Sequence, residues 1–99
     1  MTGTESQVEW AQRIKRKVNQ EFDRVGRSFQ SVADKQSNAD RADTEAIIAI
    51  LEAKRAEVMS KEEAGYFIHD WQDIGDQVRQ MIFQDARYQI IKFKKAARR

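Results

Sequence analysis

Apolar side chains recur at steps of three and four residues along most of this chain, and no proline interrupts them. Such spacing places the apolar residues on one face of an α-helix, whereas a half-buried strand alternates apolar and polar side chains. Only four glycines are present, so few positions favour a tight turn. The pattern predicts an all-α protein, and its 99 residues suffice for a single helical domain spanning residues 1–99.

Three helices are predicted from the extent of the apolar stripes, at about residues 7–34, 42–58 and 61–97. The stripe of the first helix consists of Ala11, Ile14, Val18, Phe22, Val25, Phe29 and Val32. Ser6 with Glu9 forms a capping box at the start of the first helix, and Ser60 with Glu63 forms one at the start of the third. Residues 35–40 are polar and favour turns, so they are predicted to form the main loop.

The third predicted helix has the most regular stripe. Its members are Ala64, Phe67, Trp71, Ile74, Val78, Met81, Asp85 and Tyr88. Their spacing is a heptad repeat, typical of coiled coils, in which Asp85 is the one polar member. A break at Gly75 is the alternative, because glycine costs about 1 kcal/mol inside a helix and Asp76 after it can cap a new helix.

The lengths of the predicted helices constrain how they pack. At 1.5 Å per residue they measure roughly 42, 26 and 55 Å. Short connections favour antiparallel neighbours, so the chain is predicted to form an up-down-up three-helix bundle, or a helical hairpin with a long C-terminal helix. The second helix is too short to return the third to the base of the first, so the third is expected to project beyond the bundle.

The projecting half of the third helix is the predicted partner-binding site. Its large apolar residues, which a free helix would expose, are Met81, Ile82, Phe83, Ile90, Ile91 and Phe93. Residues 61–85 carry a net charge of −4, whereas residues 86–99 carry +6. Two antiparallel copies would pair opposite charges, so an antiparallel homodimer is predicted. Another helical protein, or a fold-back at Gly75, are alternatives that would hide the same surface.

The basic C-terminus supports an alternative function, which is nucleic-acid binding through phosphate contacts. The residues concerned are Lys92, Lys94, Lys95, Arg98 and Arg99. The same cations also suit the negative end of a helix dipole, where they solubilise the chain without any partner.

Catalysis and metal binding find little support in the sequence. His69 is the only histidine and there is no cysteine, so no Ser/His/Asp or Cys/His constellation is indicated. Position 66 is Tyr, so the Glu-x-x-His pair of a metal site in a helical bundle is missing. No glycine-rich phosphate loop is present. The sequence therefore predicts no enzymatic activity, no catalytic residue, no metal and no cofactor.

The remaining signals concern location and overall role. The longest unbroken apolar stretch, residues 46–51, is too short to span a bilayer, and residues 1–9 contain no apolar run typical of a signal peptide. With the lack of cysteine, these features favour a cytoplasmic protein without a membrane span. The chain is predicted to be a non-enzymatic interaction or assembly module, acting as a homo-oligomer or as a small subunit of a larger complex.

Overall fold

The computed structural model describes residues 1–98, and within this range the chain is helical without any extended strand. The helices in chain order are α1 (Glu5–Asp34), α2 (Asn38–Met59), α3 (Ala64–Asp70), α4 (Ile74–Phe83) and α5 (Ala86–Ala97). The prediction of an all-α protein is confirmed. The N-terminus is tied to the start of α3, because the Thr2 N–H donates to the Glu62 carbonyl over 2.7 Å and the Thr2 carbonyl accepts from the Ala64 N–H over 2.9 Å.

α1 begins before residue 7 because a different capping box starts it. The Thr4 hydroxyl accepts a hydrogen bond from the Gln7 backbone N–H over 3.2 Å, and the Gln7 side-chain oxygen accepts one from the Thr4 N–H over 3.0 Å. Ser6 and Glu9 lie inside the helix, so the capping box predicted there is wrong. The capping box at Thr4 satisfies free backbone N–H groups at the helix start, as the box predicted at Ser6 would have done, and the helix therefore begins earlier, at Glu5.

The connections on either side of α2 also differ from the sequence prediction. α2 begins at Asn38, whose φ of +57° is a conformation that asparagine tolerates. Ser60 ends α2, and its hydroxyl donates to the Glu57 carbonyl over 2.6 Å. Helix α3 starts only at Ala64, with Glu63 before it making no capping bond. The capping box predicted at Ser60 is therefore wrong, because the hydroxyl is used by the preceding helix.

Residues 61–97 form three helices instead of the predicted continuous one. The first break, at residues 71–73, is stabilised by the side chain of Gln77. Its oxygen accepts from the Asp73 N–H over 2.9 Å, and its amide group donates to the Asp70 carbonyl. One side chain thus satisfies backbone groups on both sides of the break, which offsets the helical hydrogen bonds that are lost there.

The second break lies at Gln84 and Asp85. The Asp85 carboxylate caps α5 by accepting a hydrogen bond from the Arg87 N–H over 2.8 Å. The one polar member of the predicted heptad stripe is thus a helix start, as aspartate favours. Gly75 lies within α4, so the alternative break at Gly75 is also wrong.

α2 lies antiparallel to α1. An added Cβ at Gly26 would lie 3.4 Å from the Leu51 side chain, and Asp23 pairs with Arg55 over 2.5 Å. Residues later in α2 therefore contact residues earlier in α1. At Gly26 a methyl group would make only an ordinary van der Waals contact with Leu51.

α5 returns to the bundle and lies antiparallel to α2. Asp85 is 3.4 Å from Lys54, and Arg98 at the other end of α5 pairs with Asp43 near the start of α2. The molecule measures 53 × 23 × 19 Å, and the 30 residues of α1 account for about 45 Å of its length. The predicted projection of the third helix beyond the bundle is therefore wrong.

The buried apolar core is built by the first four helices. Its members are Ala11, Val18, Phe22, Val25, Ile47, Leu51, Val58, Ala64, Phe67, Trp71, Val78 and Ile82. Trp71, at the first break, packs against Phe22 in an edge-to-face arrangement, with 6.5 Å between the ring centroids. Helix α5 lies on this core and contributes no buried residue to it.

Candidate interaction surface

α5 carries an exposed apolar stripe on the face that points away from the bundle. Ala86, Ile90, Phe93 and Ala97 recur at steps of four, three and four residues, which places them on one helix face, and all four are exposed. We call these four residues the outer stripe. Ile90 is 54% exposed and Phe93 is 77% exposed. Large apolar side chains that share one exposed face are typical of protein-binding surfaces.

The opposite face of α5 is only partly packed. Tyr88 and Ile91 are half-buried against the core. A cavity of about 290 Å³ lies between this inner face and helices α1 and α2. The apolar residues that line it are Phe29, Val32, Ile47, Tyr88, Ile91 and Ala96. Ion pairs supplement this loose packing, with Lys95 and Arg98 lying 3.9 and 3.6 Å from Asp40.

The start of α5 is fixed by the carboxylate of Asp85, whose side chain is only 8% exposed. It accepts two hydrogen bonds from the Arg87 guanidinium over 3.0 and 2.9 Å, and Lys54 lies 3.4 Å away. The bonds from Arg87, with support from Lys54, hold the pKa of Asp85 well below its ordinary value, although burial opposes this. Asp85 is therefore ionised, and its cap is formed, at neutral pH.

The six apolar residues predicted to bind a partner are divided between core and surface. Ile82 is 0% exposed and belongs to the core, so it is unavailable to a partner in this structure. Met81 and Ile91 are half-buried against the core. The exposed members are Phe83, Ile90 and Phe93. The division follows from the break at Asp85, which turns one side of the predicted helix onto the bundle.

The five basic residues predicted to bind nucleic acid are divided as well. Lys95 and Arg98 pair with the acidic residues near the start of α2. Lys92 and Lys94 are exposed and make no ion pair with any residue of the range 1–98. Arg99 lies outside the described residues.

A groove across the kink between α3 and α4 is a second candidate surface, which the sequence analysis missed. Tyr66, Trp71 and Met81 form its apolar floor, and its volume is about 280 Å³. The polar residues on its walls are Asp70, Gln77, Gln80 and Gln84. We call it the acidic groove, because Asp70 lines it and Asp73 lies exposed at the kink. Only the kink brings Tyr66 near Met81, and the cluster of aspartates around it was the available signal for a helix end.

Two further properties bear on function. Among residues 1–98, no three His, Cys, Asp or Glu side chains lie close enough together to hold a metal ion. His69 is exposed near the end of α3. None of the helices in the described part of the chain is both long enough and apolar enough to cross a bilayer.

Comparison with known proteins supplies no relative. No protein-family model matches the chain, and no curated protein or solved structure matches it either.

Proposed function

We propose that the protein is a non-enzymatic helical assembly module that binds a second copy of itself through the outer stripe of α5. The observation that carries the proposal is the exposure of Ile90 and Phe93 side by side on one helix face. Covering apolar surface gains about 25 cal/mol per Å² removed from water, so a partner that covers the side chains of Ile90 and Phe93 gains affinity. The inner face of α5 already faces the bundle, which leaves the outer stripe for a partner.

The cations beside the outer stripe favour the acidic groove as the surface to which the stripe binds. Arg87 and Lys94 flank the outer stripe, so two α5 helices placed face to face would bring like charges together. The acidic groove offers an apolar floor with Asp70 on its wall. An antiparallel pair related by a two-fold axis would place each α5 in the groove of the other copy, and such an interface forms twice.

We also propose that the chain is an up-down-up bundle whose third member is divided into α3, α4 and α5. The antiparallel contacts of α1 with α2, and of α2 with α5, support this description. In such a bundle the acidic groove and the outer stripe belong to the same divided member, which is what a reciprocal antiparallel pairing needs.

The experiment that tests the proposal is the double substitution Ile90→Glu/Phe93→Glu. Because both side chains are exposed, we expect the variant to keep its helix content and, at tens of micromolar and without warming, to lose the surface dimer. The control Gln20→Glu/Ser31→Glu adds the same charge at exposed positions of α1 and should leave the dimer intact. Size-exclusion chromatography with light scattering measures the mass. An unmodified protein that is monomeric at tens of micromolar contradicts the proposal.

Nucleic-acid binding is the second candidate function, and it is favoured by Lys92 and Lys94, which are exposed and make no ion pair within residues 1–98. Each phosphate neutralised adds about −0.9 to the slope of log K against log salt, so a surface with few free cations predicts a shallow slope. Lys92→Gln/Lys94→Gln should then weaken DNA or RNA binding at low salt. Failure of the unmodified protein to retard any nucleic acid at low salt contradicts this candidate.

A further inference from the structure

α5 is joined to α4 by a link in which only one residue departs from helical geometry. Gln84 has φ −88° and ψ −7°, which lies in the helical region. Asp85 has a helical φ of −70° but an extended ψ of 133°. A rotation of that single ψ by about 175° would reach the helical value and join α4 and α5 into one helix over residues 74–97.

The sequence around this link favours the straight form. The last glycine is Gly75 and no proline is present, so nothing between residues 76 and 97 breaks a helix by its intrinsic preference. The apolar spacing of three and four residues also passes through Met81, Asp85 and Tyr88 without a change of phase.

Polar contacts, with little burial, keep the link bent. Asp85 caps α5 and binds Arg87 and Lys54, while Arg98 and Lys95 hold the far end of the helix. Helix α5 buries no side chain fully, and the cavity beneath it leaves part of its inner face without contacts. Such an element opens at a lower free energy than the rest of the fold.

We propose that α4 and α5 straighten at Asp85, and that the inner groove left by α5 is then occupied by the α5 of a second copy. The inner groove is formed by Phe29 and Val32 of α1 and Ile47 of α2. Its occupant in the closed chain is α5 itself, so an α5 from another copy restores the same packing in trans. Exchange of an identical element is a low-cost route to a two-fold dimer.

Charge complementarity identifies this occupant. Asp40 and Asp43 lie at the end of the inner groove and receive Lys95 and Arg98 of α5. A straight helix carries these two cations about 18 Å beyond the link, away from their own acids and toward those of another copy. The inference rests on the self-association proposed above, but it uses the inner face of α5, whereas the outer stripe stays free for a surface contact.

Single cysteines distinguish exchange from surface pairing, because the chain has no cysteine of its own. Ala39 precedes Asp40 and Ala96 follows Lys95, and the 3.9 Å ion pair of Asp40 with Lys95 places the two alanines within reach of a short bismaleimide. Equal amounts of full-length Ala39→Cys and Ala96→Cys are mixed at high concentration, warmed, cooled and cross-linked. A covalent mixed dimer is expected, since exchange brings residue 39 of one copy to residue 96 of another.

Two matched variants at residue 85 give the expected change in the association constant of the exchanged dimer. Asp85→Gly and Asp85→Ala both remove the capping carboxylate, but alanine favours a continuous helix over glycine by roughly fivefold at one site. The exchanged dimer contains two straightened links, so its association constant should be roughly 25-fold higher for Asp85→Ala than for Asp85→Gly. Circular dichroism of both variants checks that they fold.

Four outcomes separate the two proposals. A mixed cross-link that rises from Asp85→Gly to Asp85→Ala, and persists in Ile90→Glu/Phe93→Glu, supports exchange. No mixed cross-link, with dimers still seen by light scattering, overturns exchange and leaves the surface dimer standing. A mixed cross-link that disappears in Ile90→Glu/Phe93→Glu also overturns exchange. Monomers under every condition overturn exchange and the proposed function together.

Discussion

Helices α4 and α5 are neighbours of similar length, yet the bundle holds them in different ways. α4 places Val78 and Ile82 in the core with no exposure, whereas α5 has no fully buried residue. α5 is held instead by the cap at Asp85 and by the ion pairs of Lys95 and Arg98. Apolar burial supplies most of the stability of a fold, and exposed ion pairs supply little. α4 is therefore part of the folded unit, while α5 is attached to it.

The largest expected effect is a difference in stability between two variants, in each of which one isoleucine of α4 or α5 is truncated to alanine. Ile82→Ala should lower the free energy of unfolding by about 2–5 kcal/mol, because it leaves a cavity in the core. Ile91→Ala makes the same chemical change on the inner face of α5, where the side chain is half-buried beside an existing cavity, and should cost far less. Urea unfolding followed by circular dichroism measures both. Equal costs would mean that α5 belongs to the core after all.

An intermediate effect concerns the cap at Asp85. Asp85→Ala should cost about 1 kcal/mol by removing the cap, and Asp85→Asn should cost less because asparagine also caps. Asp73→Asn is the matched control, since the Asp73 side chain precedes α4 without capping it. Stability is measured by urea unfolding, and a control that costs as much as Asp85→Ala would contradict a special role for this carboxylate.

The same carboxylate predicts a dependence on pH. The pKa of Asp85 is lower in the folded chain than its ordinary value, so its contribution to stability is fully present above about pH 4, the ordinary range of aspartate. This contribution is lost as the pH falls below that range toward the folded pKa. The unmodified protein should therefore lose more stability on acidification than Asp85→Asn. Parallel losses in both proteins would exclude Asp85 as a source of the dependence.

The smallest effect is local to the far end of α5. Arg98→Gln removes the pairing with Asp40 and Asp43, so the amides of α5 should exchange hydrogen faster while those of α4 keep their rates. Added salt should act on the unmodified protein in the same direction by screening these exposed pairs. Hydrogen exchange resolved by residue measures both. Equal acceleration in α4 would show that the two helices open together.

The sequence alone was sufficient for the parts of the fold that depend on periodicity. The stripe predicted for the first helix includes Ala11, Val18, Phe22 and Val25, and all four are buried. This works because a long helix packed along one face repeats the same environment every three to four residues. Capping boxes were less informative, since Thr4 and Ser6 both fit the motif and the chain uses only Thr4.

The breaks in the third helix were not predicted because the apolar spacing continues through them, and each break has a tertiary contact in addition to its local hydrogen bonds, Trp71 with Phe22 at the first and Asp85 with Lys54 at the second. The contact of Asp85 with Lys54 joins positions that are far apart in the chain, and no local sequence pattern predicts it. The acidic groove has the same origin, since the kink at residues 71–73 creates it. Ile90 and Phe93, by contrast, were among the apolar residues of the third helix expected to be exposed, and both are exposed although the helix does not project beyond the bundle.

The backbone pairing of Thr2 with the start of α3 fixes where the first residue of the chain emerges. This point lies at the end of α1 that is remote from α5, on a molecule 53 Å long. A fluorophore or fused domain placed before Met1 would stand clear of the outer stripe. In an antiparallel pair, two such attachments would face away from each other at opposite ends. The assembly would then act as a spacer that sets the separation of whatever its two copies carry.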